Sequence, residues 1–380
     1  MVRKPFLAHL AAVGLAGGLA LTPAGASKDP GYGKQWNLAK IGAPDAWART
    51  TGAHVRVGIV DAGVDLTHED LAGRVVAQTS CLKSKGDPNN CTGSGQDDVG
   101  HGTHVAGIIA ANRDNGIGVA GVAPDAELVV AKVADSGGGI TIDDANAGIR
   151  WVVDHGARVV NLSLGDLLFV RTAAFGSKLS EGIEYAWQKG AVPVIASGNS
   201  DLFGAGIGSQ DYGNLDALVV GATGPDDLVT DYSSPTGNAK WAIVAPGGAS
   251  DGDETHKVWS TYWEKGKQNQ YGYLAGTSMA APHVTGAVAL LLAQGLSSQA
   301  AVQRLLDTAD PTVSCGAGSP TCKGRLDVAR ATTRPPEPSP RPSAADGSGP
   351  GRRRPTGTTR RPAAVSAGAA LSPRPAPRTR

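Results

Sequence analysis

The sequence predicts an α/β protein, a parallel β-sheet with helices on both faces in three layers. Three observations carry that expectation: short, almost uninterrupted apolar runs of strand length, helical stretches between them, and glycines that close the helices. Apolar runs of this kind suit strands buried on both faces, and strand–helix–strand repetition calls for parallel pairing with crossover helices. The first run is Val55-Arg56-Val57-Gly58-Ile59-Val60, ending at Asp61. Leu128–Lys132, Val159–Leu162, Val192–Ala196 and Leu218–Val220 repeat the pattern. Between them, Asp143–His155 carries Ala147, Ile149, Trp151, Val152 and Val153 and stops at Gly156. Leu179–Lys189 is amphipathic and stops at Gly190, and Thr277–Gln294 is long and apolar. Proline is tolerated in a helix's first turn, so Pro282 places the start of that last helix to within a turn. In such folds chemistry collects where strands end and loops begin.

Composition agrees with a packed body. Of 380 residues 41% are apolar and 18% charged, enough for a real core, while 53 glycines against 5% aromatics point to tight turns and close packing. The formal charge of +1 conceals an asymmetry. Residues 333–380 carry 10 Arg against Glu337 and Asp346, whereas residues 27–332 hold 23 bases and 32 acids, a net charge of −9. An acidic body argues against a nucleic-acid-binding core. Only one stretch, near the N-terminus, approaches membrane-helix hydrophobicity, which excludes a multi-span membrane protein.

The two ends read differently from the body. Arg3 and Lys4 precede an apolar stretch from Phe6 to Leu21, and Pro23-Ala24-Gly25-Ala26 sets small residues where a signal peptidase inspects. Residues 1–26 therefore read as an export signal cleaved after Ala26. The stretch is short and broken by His9, Gly14, Gly17 and Gly18, which argues against a retained membrane anchor. The protein is expected to be secreted and extracellular, with no transmembrane segment after signal removal and with disulfides permitted. Four cysteines allow three pairings. Each close pair brackets a turn-rich loop, so Cys81–Cys91 and Cys315–Cys322 are expected, and no C-x-x-C spacing supports zinc. Residues 333–380, with 11 prolines and runs such as Arg352-Arg353-Arg354, cannot bury enough apolar surface to offset ordering entropy, and disorder is expected there. The tail is either a tether to anionic cell-surface polymers or a solvated extension without a partner.

Three segments carry an acid, a base and a hydroxyl. Asp61 abuts apolar residues, which is costly without a partner; alone it would more often be a cap. His101 opens His101-Gly102-Thr103-His104-Val105-Ala106-Gly107, whose small residues suggest a helix pressed on its neighbours. Two histidines three apart could ligate a metal, but a zinc helix spaces them four apart around a Glu. Ser278, in Gly276-Thr277-Ser278-Met279-Ala280-Ala281-Pro282, could be an N-cap or a nucleophile at the positive end of a helix. The chain order Asp, His, Ser differs from the orders of α/β-hydrolases and chymotrypsin-type enzymes and is that of subtilisin.

With these motifs the chain resembles the subtilases, subtilisin-type serine endopeptidases, and above all their thermitase-like branch. The matching runs are Ile59–Val64 through His68–Leu71, HGTHVAG at 101–107, Gly121–Pro124, Asn161–Gly165, Ala196–Asn199, GTSMAAPHVTG at 276–286 and Lys323–Asp327. The resemblance covers about residues 35–332, so residues 27–332 are expected to form the peptidase domain, with a subtilisin-like three-layer fold. It implies Ser278 as nucleophile, His101 as general base and acid, and Asp61 as the group that holds the imidazole. It implies Asn199 as a second oxyanion donor, with an extended substrate flanked by Gly137, Gly138 and Gly139 and by Ser163, Leu164 and Gly165. No cofactor is required for the chemistry. Asp70 matches a calcium ligand of the family, and the loop 112–117 reads either as its calcium loop or as a solvated turn. Protein or peptide substrates and a monomeric state are expected, and Met279 beside the nucleophile predicts sensitivity to peroxide.

The sequence also departs from the family pattern. Only Ser27–Lys34 separate the expected cleavage point from Gln35-Trp36, too few for a long folding-assisting propeptide. Gly208–Asn214 replaces a Tyr-Pro-Ala turn in the specificity wall, and Asp166 stands where relatives often carry Gly. Two other readings stay open: a dedicated processing protease of the mycosin type, similar at Ile41–Trp47 but normally ending in a membrane helix, and a catalytically dead binding protein on the same scaffold.

Overall fold

The computed structural model describes residues 25–164, 173–199 and 214–333, with the backbone alone for 173–178. Residues 1–24 of the expected export signal at 1–26, Gly165, Asp166, Gly208–Gly213 and the tail from Arg334 lie outside the described residues. Among the described residues ten strands are present: β1 (Arg56–Asp61), β2 (Val75–Ser80), β3 (Glu127–Lys132), β4 (Val159–Leu162), β5 (Val192–Ala196), β6 (Leu218–Thr223), β7 (Trp241–Pro246), β8 (Val258–Tyr262), β9 (Gln270–Leu274) and β10 (Cys322–Arg325). The helices are α1 (Trp36–Lys40), α2 (Ala43–Trp47), α3 (His101–Ala110), α4 (Ile142–Asp154), α5 (Ala173–Gln188), α6 (Thr277–Ala293), α7 (Ser298–Thr308) and α8 (Val328–Thr332).

Eight strands form one sheet in the order β10-β7-β6-β5-β4-β1-β3-β2, every neighbouring pair parallel. The alternation of side chains along each strand sorts the core into two layers. Val57 and Ile59 of β1, Val159 of β4, Val192 and Val194 of β5, and Leu218 and Val220 of β6 pack with α3 and α6 on one face. Val60, Val160, Ile195 and Val219 from the same strands pack with α4 and α5 on the other. The expected parallel sheet covered on both faces is therefore present.

The five expected strands are all found, with β1 reaching Asp61 and β6 continuing to Thr223. Helix α5 begins at Ala173, earlier than its amphipathic part suggests. Pro282 is not in the first turn of α6 but in its second, because the helix begins at Thr277. The hairpin β8–β9 is antiparallel and stands apart from the main sheet. It is bonded to α3: Ser260 Oγ donates to His104 O at 2.9 Å, and Thr261 Oγ1 donates to Thr103 O at 2.7 Å. Both expected disulfides, Cys81–Cys91 and Cys315–Cys322, are formed. Among the described residues no helix is long and apolar enough to cross a membrane.

Candidate active site

Strands β5, β4 and β1 are neighbours and parallel, so their C-terminal ends meet at one edge of the sheet. Asn199, Ser163 and Asp61 lie at those three ends. Asp61 is wholly buried, and its Oδ1 lies 2.8 Å from His101 Nδ1. The same oxygen accepts the Ala62 N–H at 2.7 Å. His101 is the first residue of α3, and Gly102 lets that helix approach the β1 loop: a Cβ at Gly102 would lie 2.0 Å from Gly63 O.

The start of α3 is set by an acid that the sequence reading did not single out. Asp97 Oδ1 accepts the N–H groups of Val99 and Gly100 at 2.9 Å. Its Oδ2 accepts the Thr103 N–H at 2.9 Å and the Thr103 hydroxyl at 2.5 Å. Four donors on one carboxylate satisfy groups that a helix start otherwise leaves orphaned. Thr103 Oγ1 also accepts the Asp65 N–H at 2.9 Å, tying the segment after β1 to α3. The sequence signal is an acid four residues before His101 with a threonine two residues after it.

Ser278 is the second residue of α6 and is buried. Its backbone is fixed by a consequence of Pro282. A helical residue donates its N–H to the carbonyl four positions back, and proline has none to give. The carbonyl so deprived belongs to Ser278, and the Ser163 hydroxyl donates to it at 2.9 Å. Ser163 Oγ in turn accepts from Asn161 Nδ2 at 2.9 Å, and Asn161 Oδ1 accepts from Thr285 Oγ1 at 2.8 Å. The Ser278 hydroxyl faces Ser163 O at 3.5 Å. Ser163 and Leu164 are therefore buried, with the Ser163 side chain turned inward onto Ser278.

Asn199 is fixed against the residue before the serine. Its Oδ1 accepts the Thr277 N–H at 2.9 Å and the Thr277 hydroxyl at 3.0 Å. A backbone N–H requires an acceptor, which assigns the amide oxygen to that side and leaves Nδ2 as the donor end. Gly198 N–H adds a bond to Thr277 Oγ1 at 3.1 Å. On the far side of β1, the loop after β3 carries Gly137 and Gly138. Asp135 Oδ1 accepts the N–H groups of Gly137 and Gly139 at 2.9 Å, and Gly138 has φ +79°, a conformation glycine adopts without strain. The sheet order β4-β1-β3 thus puts segments 163–164 and 137–139 on opposite sides of Asp61.

Asp70 lies away from this cluster. It is fully buried, Oδ1 accepting from Asn115 Nδ2 at 2.8 Å and Oδ2 from Val119 N–H at 2.7 Å. Burial, with a smaller contribution from the charge of Asp29, pushes its carboxyl up to about 6. Asp29, which sequence reasoning missed, accepts the N–H groups of Asp114 at 2.8 Å and Gly116 at 2.9 Å in the same loop. Carboxylate oxygens suit a hard cation, and each oxygen of Asp70 already accepts an N–H group. Among the described residues no group of three His, Cys, Asp or Glu side chains is placed to hold a metal. The other histidines of the two main motifs are structural. His104 lies 3.1 Å from Val258 O and Gly272 O, and His283 lies 2.8 Å from Met279 O. Burial lowers them to about 3 and about 4.

A buried acid–imidazole pair and a helix-borne serine at the carboxyl edge of a parallel sheet define a serine hydrolase. Comparison with known proteins gives the family: residues 52–346 match the subtilase family of peptidases, and the chain belongs to it. It is 35% identical over 300 residues to thermitase of Thermoactinomyces vulgaris, covering 78% of this chain and 95% of that one. It is 38% identical over 257 residues to subtilisin Savinase of Lederbergia lenta, covering 67% and 83%. Among solved structures, a protease of Pseudoalteromonas arctica superposes with a TM-score of 0.65 at 27% identity, over 81% of this chain and 98% of that one. Fervidolysin of Fervidobacterium pennivorans, a keratinolytic enzyme, gives 0.65 at 27%, over 83% and 48%. The protein is a serine-type endopeptidase acting on protein substrates.

Proposed function

We propose that the protein is an exported endopeptidase that cleaves peptide bonds through Ser278, His101 and Asp61 with an acyl-enzyme intermediate. The observation that carries this reading is the 2.8 Å pairing of His101 Nδ1 with a wholly buried Asp61, at the sheet edge where α6 presents Ser278. A serine hydroxyl is a poor nucleophile at neutral pH and needs a base. His101 takes that proton through Nε2 and returns it to the leaving amine. Asp61 fixes the tautomer with the proton on Nδ1 and stabilises the imidazolium without taking the proton itself. The oxyanion is met by the donor end of Asn199 and by the backbone N–H of Ser278 at the positive end of α6.

The substrate lies extended between segments 137–139 and 163–165, bonded through its backbone as an added strand. Export accords with the signal-like composition of residues 1–26 and with the two disulfides. Asp70, beside the loop 112–117, would be the residue to hold a calcium ion, which would serve stability and not the reaction. Casein hydrolysis together with labelling of Ser278 by a fluorophosphonate tests the reading. Loss of both in Ser278→Ala is expected. A wild-type protein that neither cleaves casein nor takes up the label would be a binding protein on a protease scaffold. Cleavage of one defined site in place of general casein digestion would select the processing-protease alternative.

A further inference from the structure

Lys132, at the end of β3, is a cation that the mechanism above does not use. It stands in register with Asp61 on the adjacent strand and is only 5% exposed. A buried ammonium is costly unless paired and hydrogen-bonded. Its Nζ donates to Ala62 O at 2.7 Å and to Asp98 Oδ1 at 2.5 Å. These two partners belong to the two segments that carry the acid and the base. Ala62 follows Asp61 and gives its N–H to Asp61 Oδ1 at 2.7 Å. Asp98 lies three residues before His101, in the turn whose other acid, Asp97, caps α3.

The contacts close into a circuit: Lys132 to Ala62, Ala62 to Asp61, Asp61 to His101, and back along the 98–101 turn to Asp98 and Lys132. The second oxygen of Asp61, Oδ2, is buried and has no hydrogen-bond partner among the described residues. The orientation of that carboxylate therefore rests on two bonds, one from His101 Nδ1 and one from the Ala62 peptide whose carbonyl Lys132 holds.

We propose that Lys132, bridging the Ala62 carbonyl and the Asp98 carboxylate, is a positioning residue for the Asp61–His101 pair. The inference rests on the endopeptidase reading. Lys132 touches neither nucleophile nor substrate and acts by fixing the Ala62 peptide that aims Asp61. A misplacement of about 1 Å at a reacting group costs on the order of 100-fold in rate.

The test compares wild type with Lys132→Met, which keeps the apolar stem and loses the ammonium, and with Lys132→Arg, which keeps charge and donors. Turnover of a peptide substrate is normalised to molecules titrated by fluorophosphonate, and the low-field Nδ1–H proton resonance of His101 is followed by NMR. In Lys132→Met, kcat is expected to fall by roughly 10- to 100-fold with KM within about two-fold and the His101 resonance displaced. Lys132→Arg is expected to recover most of both. Unchanged kcat in Lys132→Met, or a lower melting temperature with kcat and the resonance unmoved, overturns the proposal. Should Lys132→Met fail to fold, Asp98→Ala decides, since the Asp98 side chain is 40% exposed. A loss of kcat at constant KM supports the bridge, and wild-type kcat refutes it. An inactive wild type would overturn the endopeptidase reading alone. The displacement of the resonance would then carry the test of Lys132 by itself.

Discussion

The two halves of the site are built from different materials. Around β1 and α3 the groups are ionic: Asp61, Asp97 and Lys132 are buried charges, joined to one another by backbone groups and short contacts. Around β4, β5 and α6 they are neutral: Asn161, Ser163, Asn199, Thr277 and Thr285 form an amide–hydroxyl network around Ser278. A buried charge that loses its partner leaves several kcal/mol uncompensated. A neutral hydrogen bond lost from a network costs about 1–3 kcal/mol when it strands a buried group. The acid–base half therefore has little tolerance for substitution, while the nucleophile half can be altered bond by bond and still fold.

The largest effect expected is from Ser278→Ala. In subtilisin, where the quantity is established, removal of the nucleophile lowers kcat by about 10⁶-fold, and a similar loss is expected here with an unchanged melting temperature. Asp61→Asn isolates the ionic half. With the imidazole left in the wrong tautomer, kcat should fall by roughly 10⁴-fold, and a smaller loss than for Asn199→Ala would reverse the contrast. Asn199→Ala removes one oxyanion donor, for which subtilisin gives about 10²–10³-fold in kcat. KM should hardly move, and a loss confined to KM would assign Asn199 to substrate binding.

Ser163→Ala sharpens the neutral half, because it strands the Ser278 carbonyl that Pro282 cannot serve. A destabilisation of about 1–3 kcal/mol is expected by denaturant titration, and an unchanged midpoint would mean that water replaces the hydroxyl. The last effect concerns pH and acts on the fold, not on turnover. His104 and His283, lowered by burial from 6.5 to about 3 and about 4, are neutral in the fold and bind protons more readily once unfolded. Their contribution is complete above pH 6.5 and is lost progressively as pH falls toward 4. Melting temperatures followed from pH 7 to 4 should fall, and a His283→Gln variant should show a shallower slope.

Much of this is legible in the chain because it is local. Val57 to Asp61 or Val192 to Ala196 declare buried strands by apolar content alone, and the fold class follows from their alternation with helices. Strand β2 is not so declared, since Val76 and Gln78 are both exposed at the sheet edge. Strand β10 is defined by its pairing with β7, far back along the chain, and β8 and β9 by their pairing with each other, not by their own period. The same divide holds at the site. Asp61, His101, Ser278 and Asn199 stand in compact motifs. Lys132 gives no local sign, because its meaning depends on standing opposite Asp61 in a register that only the folded sheet creates. The start of α6 at Thr277 was legible, but Pro282 lies one turn deeper than expected, because the Ser278 carbonyl it leaves orphaned is served by Ser163.

That proline changes what the reactive serine is attached to. Ser278 is a residue of α6 by sequence, yet its backbone carbonyl is anchored on the end of β4 and its preceding peptide on the end of β5. It is tied to its own helix by one hydrogen bond fewer and to the strand ends by two. The backbone of the reactive serine is moored to the sheet that also carries the carboxylate, so acid and nucleophile share one foundation.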